Sequence, residues 1–183
     1  MKKILNPGVG LAPVPVVMVT CGNMNESNIT TIAWTGVINS EPPMVYVSIR
    51  PSRKSHEIIK QNKEFAINIP DQKLVWETDF CGTKSGKNID KFKESKLTKI
   101  NAQKINVPLI YECPINIECK LVEVKELGSH DMFIGEVVCI NCDESYILDN
   151  GNIDYKSANL LTYAGNKYLA QNTDVGERGI CLK

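Results

Sequence analysis

Asn28-Ile29-Thr30-Thr31-Ile32-Ala33-Trp34, then Met44-Val45-Tyr46-Val47-Ser48-Ile49-Arg50 and Pro51-Ser52-Arg53-Lys54-Ser55-His56, form the stretch on which the reading of this chain turns. β-Branched and aromatic residues dominate the first two runs, as strands require. The connection Ser40-Glu41-Pro42-Pro43 cannot be helical, because each proline lacks a donor N–H. Strands over Thr30 to Asn39 and Met44 to Arg50 are therefore expected to pair like a hairpin. Directly after them, Ser52 or Ser55 is placed to cap a helix whose Ile58 and Ile59 face inward.

Working outward, the same strand pattern recurs on both sides. Val14 to Thr20 is apolar and β-branched and ends at the turn-forming Cys21-Gly22-Asn23. Phe65 to Ile69 reads as a short buried strand closed by Pro70. Helices are expected over Lys73 to Phe80 and Ile89 to Glu94, with a polar loop from Cys81 to Asn88 between them. Ile115 to Leu127 alternates, with Ile115, Ile117, Cys119 and Leu121 on one face and Asn116, Glu118 and Lys120 on the other, which predicts a half-buried antiparallel strand. Phe133 to Ile140 is another strand, and Tyr146 to Leu148 a short edge. Many strands and few helices long enough for crossovers predict a mainly β fold, an antiparallel Greek-key-like barrel with a few peripheral helices.

The 183 residues suit one domain, with its core over about 13–168, and no repeat or Gly/Ser linker divides them. Lys and Arg number 21 and Asp and Glu 21, so the net charge is zero. Such a chain lacks the broad positive field that nucleic acids or anionic membranes need, and any anion site must be local. Lys2 and Lys3 are not followed by an apolar core, and the longest apolar run, Val14 to Val19, is too short to span a bilayer, so a cytoplasmic location is expected. Seven cysteines, an odd number, argue against a closed disulfide framework. Cys139-Ile140-Asn141-Cys142 is a CxxC that suits a redox pair or half a zinc site, but no second half follows at ligand spacing, and no metal is expected.

The central stretch also carries chemistry. A terminal phosphate needs N–H donors and positive charge. The start of the helix after Ser52 offers free N–H groups and a favourable dipole, with Arg50, Arg53 and Lys54 beside two serines. A flat heteroaromatic ring with carbonyls along one edge wants backbone donors from an extended strand with small or flat side chains, which Asn28 to Trp34 provides. The same residues also fit a solvated helix start and an ordinary strand with Trp34 in the core.

Taken in order, Pro15-Val16-Val17-Met18-Val19-Thr20, Asn28 to Gly36, Pro42 to Arg50, Ser52 to His56, Phe65-Ala66-Ile67-Asn68-Ile69, Gly82 to Phe92 and Asp131-Met132-Phe133-Ile134-Gly135-Glu136-Val137 resemble the flavin reductase-like, or flavoredoxin-like, family of FMN-binding split-barrel proteins. The resemblance implies FMN held between the subunits of a homodimer. Thr30, Thr31, Ile32, Ala33 and Trp34 would lie along the ring, and Asn28 opens the same cofactor-binding segment. Ser48, Ile49 and Arg50 would lie near the ribityl chain and phosphate, and Lys54, Ser55 and His56 at the phosphate, where the helix start also sets Arg53. The loop residues Cys81, Gly82, Ser85, Gly86 and Lys87 would approach the cofactor. In related reductases an aspartate-histidine pair precedes the Phe-Ile-Gly-Glu-Val strand. Here the order is Ser129-His130-Asp131, and His130 is the candidate catalytic side chain beside flavin or nicotinamide. Gly176-Glu177-Arg178-Gly179 lies outside the family pattern.

Two activities follow from the resemblance. One is an NAD(P)H-dependent flavin reductase, in which the nicotinamide is a transient donor stacking on the flavin, since no GxGxxG follows a strand. The other is a flavoredoxin-type carrier with tightly bound FMN and a protein redox partner. A third reading, from the fold alone, is a binding module without flavin.

Overall fold

The β-branched runs pair into one seven-stranded antiparallel sheet in the computed structural model, which describes residues 1–171, 173–176 and 178–182, the last by its backbone alone. Its strands are β2 (Val17–Gly22), β3 (Ser27–Ile32), β4 (Thr35–Ser40), β5 (Pro43–Ile49), β6 (Glu64–Ile69), β9 (Ile115–Glu126) and β10 (Asp131–Cys142), in the spatial order β3-β2-β6-β9-β10-β5-β4. The two end strands are consecutive in sequence, so the sheet must curl until its edges meet. The bend between them is held to β5, where Ser48 N donates to Trp34 O at 2.9 Å, which brings the β4 end of the sheet round beside β3. The antiparallel barrel that the strand pattern predicts is thus present, and it is split along β3.

The expected single strand from Thr30 to Asn39 is two strands. Up to Ile32 the chain pairs with β2, and from Thr35 it pairs with β5. A straight strand cannot serve both partners across the split, so it bends at Ala33-Trp34. The hairpin expectation holds for β4 and β5.

Inside the barrel, Val17, Val19, Val47, Ile49, Phe65, Ile67, Cys119 and Phe133 pack into one cluster, and Ile59 from α1 (Lys54–Asn62) joins it. Gly135 is needed there, because a Cβ at this position would stand 2.6 Å from Phe65 Cζ. The outer face of β2 and β3 is covered as well. Met18 and Ile29 pack under α2 (Val75–Thr83) and α3 (Lys91–Ser95), with Ile110 from the small pair β7 (Lys99–Ile100) and β8 (Leu109–Ile110). That double burial explains why the Val14 to Thr20 segment shows no alternation.

The expectation of a half-buried β9 is corrected in its first half. Asn116 and Glu118 are buried at 5% and 0% exposure, because the segment running through β7 and β8 lies over them. Their polar groups are satisfied: Asn116 Nδ2 donates to Asn68 Oδ1 and Ile110 O, while Glu118 accepts from Gln103 N, Lys104 N and Asn141 Nδ2. Alternation of polarity does not give alternation of exposure where polar side chains anchor a covering loop.

Three further expectations are corrected. Neither serine caps α1; Arg53 stands at the N-cap without a side-chain bond, and Ser55 lies buried in the first turn. The segment after Phe80 is not yet loop, since α2 runs on to Thr83 and holds Cys81 and Gly82; no breaker intervenes, and Gly82 is tolerated where a Cβ would approach Thr31 Cβ to 3.1 Å. In place of a strand at Tyr146 there is a 3-10 turn, Glu144–Tyr146, followed by a single bridge from Ile147 to Ile153. A second sheet was missed: β1 (Val14–Pro15) pairs with β11 (Leu161–Ala164), which pairs with β12 (Lys167–Ala170). Among the described residues no helix is long and apolar enough to cross a membrane.

Candidate functional site

An edge strand leaves alternate backbone N–H and C=O groups unpaired, and β3 is such an edge. Along it runs a cleft of two lobes. The first, about 400 Å³, is lined on one side by Thr30, Thr31, Ile32, Ala33 and Trp34, and across the split by Ser48, Ile49 and Arg50. Its far wall comes from α2, with Asp79, Gly82 and Thr83, and from the β11–β12 hairpin, with Tyr163 and Tyr168.

The second lobe, about 300 Å³, shares Thr30, Arg50 and Arg53 with the first. Ser52, Lys54, Lys84, Ser85, Gly86, Asn28 and Lys91 complete it. Five basic side chains and no carboxylate therefore line this end, next to the N-terminus of α1. Such a surface selects a compact anion.

The walls are braced from behind. Thr31 Oγ1 donates to Thr78 O on α2, which ties β3 to the helix that faces it. Tyr168 Oη donates to Asp79 Oδ1 at 3.0 Å and packs edge-on against Tyr163, which holds the hairpin against α2. Burial, followed by the Asp79 carboxylate, pushes the Tyr168 phenol well above its ordinary range, so it stays a donor. At the mouth, His130 packs against Trp34 with ring centroids 4.3 Å apart and the planes tilted by 50°. Trp34 is 41% exposed, not a core residue. Partial burial, then the Arg50 guanidinium, holds the imidazolium of His130 below its ordinary range, so the ring is neutral at pH 7.

Four residues that the sequence placed at the cofactor are turned elsewhere. His56 lies in the protein interior, with Nε2 2.7 Å from Asp131 Oδ2 and its ring edge-on to Phe133. It fixes α1 to the start of β10, one residue from His130. Ser55 Oγ accepts from Asn28 Nδ2 at 2.7 Å beneath the basic lobe. Cys81 is buried on the core side of α2. Lys87 lines a neighbouring hollow with Lys54 and Gly86. Cys139 and Cys142 are free thiols three positions apart on β10, and odd spacing sends strand side chains to opposite faces. Their side chains therefore do not face each other as a close pair. In the C-terminal segment Glu177 lies outside the described residues, and Gly176, Arg178 and Gly179 do not line the cleft.

Asp79, Lys91, Tyr163 and Tyr168 were missed. A signal for the tyrosines exists: Gly165-Asn166 between two apolar runs is a two-residue hairpin loop, and both residues adopt positive φ, at 54° and 63°.

A split antiparallel barrel with a two-lobed cleft, one lobe lined by hydroxyls and aromatic rings and the other basic, defines the class of the split-barrel flavin proteins. The chain belongs to the family described as flavin reductase like domain, whose model matches residues 9–169. It is similar to flavoredoxin of Desulfovibrio vulgaris (Miyazaki F), with 31% identity, TM-score 0.93 and 100% of both chains covered. Flavoredoxin from Methanosarcina acetivorans is 27% identical, with TM-score 0.90 over 100% of both chains. An uncharacterized protein of Pyrococcus abyssi (strain GE5 / Orsay) is 34% identical over 134 residues, 73% of this chain and 77% of that one. Membership makes the chain a flavin-related redox protein.

Proposed function

We propose that the cleft holds FMN, with the ring along β3 in the first lobe and the phosphate in the second, and that the chain is an NAD(P)H-dependent flavin reductase. The observation that carries this reading is the division of one cleft into an end lined by hydroxyls and aromatic rings and an end whose charged side chains are all basic. FMN has the same two ends joined by a ribityl chain, and its phosphate is mostly dianionic at pH 7. Ring carbonyls and nitrogens match the unpaired edge of β3, and the tyrosines and Trp34 bound the flat space.

Bound flavin supplies the hydride and electron chemistry itself. The side chains orient it: Arg50 and Arg53 span both lobes and fix the phosphate relative to the ring, while the Thr31 to Thr78 bond fixes the height of β3 against α2. The neutral His130 ring on Trp34 offers a flat surface at the mouth, where a nicotinamide can stack without charge repulsion from a second cation beside Arg50.

The match to flavoredoxins along the whole chain supports a second reading, a carrier that keeps FMN and serves a protein redox partner. An absorbance spectrum under anaerobic NADH or NADPH separates the two. Flavin absorbance is expected to bleach on addition. Absorbance that persists until dithionite is added would establish the carrier, and a chain that takes up no FMN would overturn both.

A homodimer belongs to the same proposal. β4 ends the sheet with Val37 at 81% and Ile38 at 47% exposure, next to Trp34, and a twofold copy would cover this edge beside the cleft mouth. Sedimentation of the purified chain is expected to give twice the mass of one chain; a monomer at all concentrations would remove the partner from the site.

A further inference from the structure

Lys91 opens α3 and is 4% exposed. Its Nζ donates to Ile29 O on β3 at 2.7 Å and to Cys81 O on α2 at 2.6 Å. Two carbonyls solvate an ammonium but do not neutralise it. Among the described residues no carboxylate comes within 4.0 Å of it. The ionisable groups that face it are the Cys21 thiol on β2, the Cys81 thiol on α2 and the Arg53 guanidinium ahead of α1. Asp90, its neighbour in sequence, instead accepts from Lys93 N. A buried cation without counter-charge is costly, so it either meets an anion or is driven toward its neutral form. The same side chain lines the basic lobe, where no acid lies.

We propose that Lys91 is a cation held for the ligand, whose missing counter-charge is the phosphate that enters the basic lobe. This rests on the reading of the cleft as a flavin-nucleotide site. Lys91 also clips β3 to α2, so the pairing joins anion binding to the two walls of the ring lobe.

A consequence follows for pH. Burial, reinforced by Arg53, brings the Lys91 ammonium down to about 8, whereas burial pushes the Cys21 and Cys81 thiols up to about 11 and keeps them neutral. A bound dianion favours the charged ammonium. The free chain therefore loses this proton as pH rises through about 8, and the complex retains it.

The test is fluorescence titration of the full chain, stripped of flavin, with FMN and with riboflavin, which lacks the phosphate. FMN affinity is expected to fall about tenfold between pH 7 and pH 9, while riboflavin affinity stays level. Lys91→Arg keeps the charge but does not titrate in this range, and is expected to hold FMN affinity level. Lys91→Met is expected to lose about tenfold at pH 7 and to show no further loss at pH 9. If Lys91→Met does not fold, the wild type and the arginine variant decide alone. FMN affinity equal at both pH values in the wild type, or an identical decline in Lys91→Arg, overturns the role of Lys91. A chain that binds neither flavin overturns the flavin site itself.

Discussion

Arg50→Ala combined with Arg53→Ala is expected to weaken FMN binding about 100-fold, on the basis of roughly 1.5 kcal/mol or more for each charge-assisted hydrogen bond lost. Both guanidiniums line both lobes, so they lie along the whole path from phosphate to ring. Neither makes an ion pair among the described residues, and Arg50 is exposed, so the fold does not depend on them. Thermal unfolding of the flavin-free double variant should match the wild type. Riboflavin should lose far less than FMN, because the charge acts mainly on the phosphate. Unchanged FMN affinity, measured by fluorescence quenching, would mean that the anion sits elsewhere.

The second large effect is on stability. Glu118→Ala is expected to lower the free energy of unfolding by about 3 kcal/mol or more, since it strands several buried donors at once. Glu118 is fully buried and holds the loop that covers β9 through Gln103 N at 2.8 Å and Lys104 N at 2.7 Å, with Asn141 Nδ2 at 2.8 Å from β10. Burial alone would raise its pKa, but the N–H groups of Gln103, Lys104 and Ile105 and the Asn141 amide outweigh it and hold the carboxyl below its ordinary range. Because the folded value lies below the unfolded one, this stabilisation is complete above the ordinary carboxylate range. It is lost as pH falls through the depressed folded value. Urea unfolding at neutral and acid pH checks both points. The wild type should weaken on acidification, and Glu118→Gln should start weaker and lose less. A loss under about 1 kcal/mol for Glu118→Ala would mean that Ile105, Val107 and Leu109 hold the loop by apolar contact alone.

How far each part was legible depends on whether its signal is local. Strands β5, β6, β9 and β10 were readable to within a few residues, because β-branched runs and their breakers lie in the strands themselves. The two arginines, Lys54 and the Thr30 to Trp34 strand were readable as a site because they cluster within one short stretch, and the structure gathers them around one cleft. His56 was misplaced for the same reason. It follows Lys54 by two residues, but the helical rotation over those two steps turns it inward to Asp131, 75 residues away. Asp79 and Lys91 carried no such signal, and the Gly165-Asn166 loop signals only a hairpin for Tyr163 and Tyr168, since each reaches the cleft only when α2, α3 and the C-terminal hairpin pack against the barrel.

Taken alone, the sequence determined the class of fold and the clustering of basic side chains beside the Thr30 to Trp34 strand, because period, proline placement and clustered charge act over a few residues. Only tertiary structure decided which hydroxyls and cations face the cleft and which are spent on the interior. It sent Ser55 and His56 to buried partners, raised Trp34 to the surface against His130, and left Lys91 buried without a counter-charge. The physical reason is that burial and pairing depend on groups far apart in the chain, which meet when the sheet curls and its edges close on each other.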